Sequence, residues 1–159
     1  MKKLLATLTL LVLLAACGIQ PTPVIPAGPA PQAAGPDADR QLTLYFAVDG
    51  SLTPVVRHWG SPVTPDLALA ELFLGPTPAE QKTGLYSFLP TGTTPATVDT
   101  TATPPTVTVP YSVKTIYLGL DQIVCTTVAA LSATGHPTDA RGITVTTPDF
   151  TFGPTTCTF

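Results

Sequence analysis

His58, Asp49 and Ser51 together hold the parts of a nucleophilic hydrolase: a hydroxyl, an imidazole to take its proton and a carboxylate to orient the imidazole. Nothing in the sequence orders these three groups. The chain also lacks a Gly-x-Ser-x-Gly elbow, the strained turn that would expose such a serine. His58 beside Trp59 reads instead as a surface pair at a strand end. Asp66 and Glu71 could form an acid/base pair, but a helix's first turn and its exposed face are sufficient reason for both. Gly60, Gly75 and Gly84 make no phosphate-binding run. Metal sites gather Cys and His at short spacing, and neither Cys125 nor Cys157 has such a neighbour. The residues therefore predict no catalysis, no metal and no cofactor.

Cys17 has a different chemistry. It follows Lys2, Lys3, an apolar run from Leu4 to Ala16, and the tripeptide Leu14-Ala15-Ala16. A basic start, a short apolar stretch and small residues before a cut describe a secretory signal. The run is shorter than the roughly 20 residues that span a bilayer. The Cys at the junction resembles the lipobox of bacterial lipoproteins. That resemblance implies cleavage after residue 16 and a diacylglyceryl thioether on Cys17, with palmitate-type chains and membrane attachment on the extracytoplasmic face. Each buried methylene contributes about 0.8 kcal/mol, so two or more chains hold where one barely does. With Cys17 acylated, an even pair remains. An oxidising compartment permits a Cys125–Cys157 bridge. It would close a loop of about 32 residues, worth about 3–4 kcal/mol in the chain-entropy model.

The seven basic residues include Lys2 and Lys3, so the cleaved chain keeps five basic residues against ten acidic, a net of −5. That balance argues against nucleic acid and against a polybasic membrane patch. From Gly18 to Asp39 six prolines are spread among Ala, Gly and Gln. Proline removes backbone donors and fixes φ, so this stretch predicts an extended tether reaching at most about 60 Å. The organisation is then a signal peptide over 1–16, a lipidated Cys and linker over 17–40, and one domain over 41–159.

Within that domain the spacing predicts the elements that must position any site. Leu42 to Val48 alternates as a strand with Leu42, Leu44, Phe46 and Val48 inward. Asp49-Gly50 is a two-residue hairpin signal, returning through Leu52 to His58 with Pro54 near the strand start. Thr64-Pro65-Asp66 starts a helix whose shared face is Leu67, Ala70, Glu71 and Leu74, with Phe73 on the flank. Gly75-Pro76 stops it. Thr77 and Glu80 have capping-box spacing for a second, short helix ending at Gly84. Two short strands, Ala96 to Thr103 and Thr106 to Val109, follow around Pro104-Pro105, the second alternating with its valines inward. Ser112 would cap a longer helix to about Ser132, with Ile116, Leu120, Ile123, Val124, Val128 and Leu131 as its stripe. Ile143 to Thr146 reads as the last strand, and the tail to Phe159 as irregular.

These segments resemble the GerMN domain of bacterial sporulation, spore-germination and envelope lipoproteins. The matching pieces are Leu44-Tyr45-Phe46, Val55-Val56-Arg57, Ala70-Glu71-Leu72-Phe73-Leu74-Gly75-Pro76-Thr77, Gly84-Leu85, Leu89-Pro90 and Gln122-Ile123-Val124-Cys125-Thr126. The Leu-x-Gly-Pro-Thr and Gln-Ile-Val-x-Thr segments are the most specific. The Ala/Pro/Thr-rich composition and the Cys pair look like the actinobacterial lipoprotein branch. The resemblance implies an α+β domain: a small, mostly antiparallel sheet with helices packed on one face. It also implies a non-catalytic module in envelope or sporulation assembly, or beside a sensor kinase. Pro104-Pro105 and Pro110-Tyr111 depart from the polar turn and acidic residue usual in the family.

The function expected is therefore a membrane-anchored interaction module with an envelope protein partner. The alternative is a module that binds a small ligand or cell-wall glycan. Arg57 and Trp59 are the interface candidates, since Arg and aromatic side chains carry a large share of binding energy. For Arg57 the competing role is a local ion pair, and for Trp59 it is core packing.

Overall fold

The computed structural model describes residues 38–92, 96–113 and 117–158. Cys17, the signal segment and the linker up to residue 37 lie outside these, as does Ile116. The fold is α+β. Strand β1 spans Gln41–Val48 and β2 spans Ser51–His58, paired antiparallel from Val48↔Ser51 to Gln41↔His58. Asp49 and Gly50 both take positive φ, at 49° and 78°, as a two-residue turn matched to strand twist requires. Asp39 and Arg40 already belong to the domain. Trp59 N donates to Arg40 O at 2.8 Å, and Val63 N to Asp39 O at 2.6 Å.

Helix α1, Pro65–Leu74, starts as the sequence predicts: Thr64 accepts from Leu67 N, and Pro65 opens the first turn. Its buried face differs. Ala68, Leu69, Leu72 and Phe73 face inward, and Leu74 is 66% exposed. The segment is apolar nearly all round, so periodicity gives little direction. Glu71, held by Arg57, marks the rim instead. Gly75 ends the helix with φ 82°, where a side chain would be strained. Helix α2, Pro78–Lys82, carries the full Thr77/Glu80 capping box.

Four strands form a second sheet: β3 Thr97–Asp99, β4 Thr106–Thr108, β5 Ile143–Thr146 and β6 Thr151–Thr155, in that order. The β4–β5 pairing is parallel and the other two are antiparallel. Helix α3, Tyr117–Ala133, makes the crossover between β4 and β5. Its described part begins at Tyr117, and the residues between it and Ser112, the predicted cap, lie outside the described ones; the Ser112 hydroxyl donates to Asp149 Oδ2 at 2.9 Å. The irregular tail is corrected too. Residues 151–155 pair with β5 as an edge strand, which accepts the Gly153-Pro154 interruption through a bulge. Gly142 is required there, because a Cβ on it would collide with the Thr155 carbonyl.

The predicted single sheet is thus two sheets, and the physical reason lies on β1. Its second edge is closed by side chains and one short bridge, not by a long strand. Ala47 exchanges backbone hydrogen bonds with Tyr86 at 2.8 and 2.9 Å. That crossing also buries Ala47 while Val48 stays half-buried, against the expectation for Val48. Thr126 Oγ1 accepts from Tyr45 N at 3.0 Å, and Gln122 Nε2 donates to Tyr45 O at 2.8 Å. The other end of the Gln122 amide accepts from Phe88 N at 2.8 Å. Gln122 and Thr126, one helical turn apart, therefore do the work of a neighbouring strand. Around them Leu42, Leu44, Phe46, Leu69, Leu72, Ile123, Leu131, Val107, Ile143 and Val145 form one core.

Cys125 on α3 is joined to Cys157 after β6, with Cα atoms 4.8 Å apart. Labelling of denatured, non-reduced protein should find neither thiol reactive. Two reactive thiols would refute the bridge in the mature protein.

Candidate functional site

Arg57 points from β2 onto the core face of the hairpin, in register with Leu42. Four of its five guanidinium N–H groups are engaged inside the chain. Nε and Nη2 donate to both Glu80 oxygens at 3.0 and 2.7 Å. Nη1 donates to Glu71 Oε2 at 3.1 Å, and Nη2 also to Gly75 O at 3.1 Å. The cation lies 5.4 Å from the centre of the Phe46 ring. The side chain is 14% exposed. This geometry fits the ion-pair role rather than an interface anchor. The arrangement also holds the Glu80 carboxyl below the usual carboxylate range, chiefly through the Arg57 hydrogen bonds and against the opposing cost of burial. Trp59 is half-buried and packs against the core, while His58 is exposed at the strand end.

The hydrolase parts do not meet. Asp49 and Ser51 sit at one end of β2 and His58 at the other. Seven residues of strand separate Ser51 from His58 by about 23 Å. Asp66 accepts from Val98 N at 2.7 Å, tying α1 to β3, and Glu71 is committed to Arg57. Among the described residues, no group of three His, Cys, Asp or Glu side chains is placed to hold a metal ion. No helix among them is long and apolar enough to cross a membrane.

The outer face of the hairpin is the opposite case. Residues alternate, so Tyr45, Pro54, Thr43 and Val56 point away from the core. Val56 is 53% exposed and Pro54 is exposed beside it. Tyr86, 39% exposed, accepts from Gly50 N through its hydroxyl at 3.3 Å and meets the Phe88 ring edge-on at 5.2 Å. Along the free side of β2, no strand pairs among the described residues. Pro54 supplies no N–H there, which limits simple strand addition. Pro54 and Val56 thus make a small exposed apolar pair on β2, and Tyr86 stands apart beside Ala47 at the turn end. The sequence flagged the hairpin's turn, its Arg-His-Trp end and Tyr86, which like Tyr45 and Tyr111 is an aromatic candidate for an interface, but not Val56. Strand alternation alone would have put Val56 outward.

The segments quoted for the GerMN resemblance are those that brace one another here. Val55-Val56-Arg57 meets Glu71 and the Gly75 carbonyl. Gln122 and Thr126 meet Tyr45 and Phe88. Compared with protein-family models, curated proteins and solved structures, the chain matches none.

Proposed function

We propose that this chain is a lipid-anchored, extracytoplasmic module of the GerMN kind that binds an envelope protein and catalyses nothing. The observation that carries the binding role is the exposed apolar pair of Pro54 and Val56 on the outer face of β2, with Tyr86 exposed nearer the turn. Exposed large apolar side chains are the usual anchors of a protein contact. The anchor rests on Leu14-Ala15-Ala16-Cys17, and the family reading on the mutual bracing of the quoted segments. Sporulation, envelope assembly and sensor-kinase modulation are the contexts that reading suggests.

Two measurements test this. Cys17→Ala should abolish detergent-phase partitioning; partitioning like the wild type would remove the anchor. A photo-crosslinking residue at Val56 in intact cells should capture a discrete partner, and one at exposed Ser132 should not. Val56→Glu combined with Tyr86→Ser should reduce that capture at least about tenfold while cooperative unfolding persists. Undiminished capture would place the contact elsewhere.

A further inference from the structure

The second sheet has its own outward face, and its composition is unusual. Val98, Val107, Val145 and Phe152 point to the core. Alternation therefore turns their neighbours to the other face, where Thr97, Asp99, Thr108 and Thr151 are exposed and Thr106, Thr144 and Thr146 half-buried. The strand registers align these neighbours in two rows. Thr97, Thr108, Thr146 and Thr151 stand side by side across all four strands. Asp99, Thr106 and Thr144 form the second row. It ends at Gly153, which comes too close to Ile143 O and Thr144 for a side chain to fit.

Six of these seven side chains are threonines. The one charge, Asp99, has an oxygen already accepting from Thr101 N, Thr101 Oγ1 and Ala102 N. The hydroxyls of Thr97, Thr108, Thr144, Thr146 and Thr151 make no hydrogen bond to other described residues. They repeat about 4.8 Å apart across the strands and about 6.7 Å apart along them. The second row leads to a cleft of about 280 Å³ lined by Thr100, Thr103, Pro104, His136, Thr138 and Asp139, among others.

Threonine favours strands, and cross-strand threonine pairs are stabilising, so some threonine on this face has a structural cause. Composition does not account for the rest: threonine fills six of these seven positions but only 29 of the chain's 159 residues.

We infer that this threonine grid binds an extended, uncharged polysaccharide chain, of the β-1,4-linked type that advances about one sugar per strand spacing. Each hydroxyl both donates and accepts, as sugar hydroxyls do, and each methyl offers an apolar contact to a sugar ring. No charge on the face has to be desolvated beyond Asp99. The face carries no aromatic platform, so each sugar contributes little and affinity depends on many contacts made along one chain. The surface is separate from Pro54 and Val56 on the hairpin, and the inference does not rest on the protein partner.

The test uses the purified full chain in detergent with two insoluble, uncharged β-1,4-linked probes, chitin and cellulose. The wild type should be retained on both, and soluble chito-oligosaccharide should compete. Thr108→Val with Thr146→Val keeps shape and strand preference but removes two hydroxyls. With two hydroxyls lost, retention should fall about tenfold with the melting temperature unchanged. If that pair unfolds, Thr97→Val with Thr151→Val, on the outer strands, makes the same test. No retention of the wild type, or equal retention of the folded variants, overturns the inference. So does slowed ice-crystal growth without retention, which would assign the grid to ordered water.

Discussion

Arg57→Ala should lower the stability of the domain by about 2–4 kcal/mol, among the largest effects of any single side chain outside the core. The cause is not the lost attraction alone. Glu71 and Glu80 are 16% and 18% exposed, and removal of Arg57 leaves two mostly covered carboxylates facing each other without a cation. The Gly75 carbonyl loses its donor as well. Arg57→Lys should recover only part of this. An ammonium cannot reach both Glu80 oxygens, Glu71 and the carbonyl in the planar fork that Arg provides. The pH dependence has a definite sign. Glu80 titrates below its ordinary value in the fold, so its contribution is complete above the ordinary glutamate range. It is lost as pH falls through the lowered folded value. Equilibrium unfolding from pH 7 downward should show wild type and Arg57→Ala converging in acid. Curves that stay parallel throughout would mean that the clamp contributes nothing through charge.

Gln122→Leu should be comparably severe, by about 3–4 kcal/mol, although it replaces a polar core residue with an apolar one of similar size. Gln122 is fully buried, and its amide serves Tyr45 O and Phe88 N, with Ser87 Oγ at 3.4 Å. The substitution strands a backbone acceptor and a backbone donor, each costing about 1–3 kcal/mol when left unpaired. Thr126→Val removes only the acceptor for Tyr45 N and should cost about 1–2 kcal/mol. Hydrogen exchange at Tyr45 gives a local readout. In Thr126→Val its amide should exchange faster by more than the global loss of stability explains. Unchanged protection there would show that the helix does not hold that edge of β1.

The Arg57 clamp illustrates how far sequence reasoning reached into the site. Arg57, Glu71, Gly75 and Glu80 all drew notice separately: as an interface candidate, a helix-face acid, a helix stop and a capping residue. Their convergence was not legible, because the contacts join residues up to 23 positions apart through the packing of β2 against the α1–α2 corner. Gln122 and Thr126 stood inside a quoted motif, but a buried amide at a strand edge has no local signature. Its only sequence trace is a polar pair at i and i+4 within an apolar stripe.

What the sequence by itself determined are features whose energy is settled within a few residues. Asp49-Gly50 makes the hairpin because only a positive-φ pair fits that turn. Thr64 and the Thr77–Glu80 box start two helices because their oxygens reach orphan N–H groups three residues on. Alternation places Leu42, Leu44 and Phe46 of β1 and Val107 of β4 inward because a strand has period two. Only the tertiary structure decided that the strands fall into two sheets, that α1 buries Leu69 and Leu72 rather than Leu74, and that the tail becomes β6. Those outcomes turn on which edge or face finds a partner far along the chain. Burial and backbone pairing are gained only once that partner is in place, so no local pattern of residues contains them.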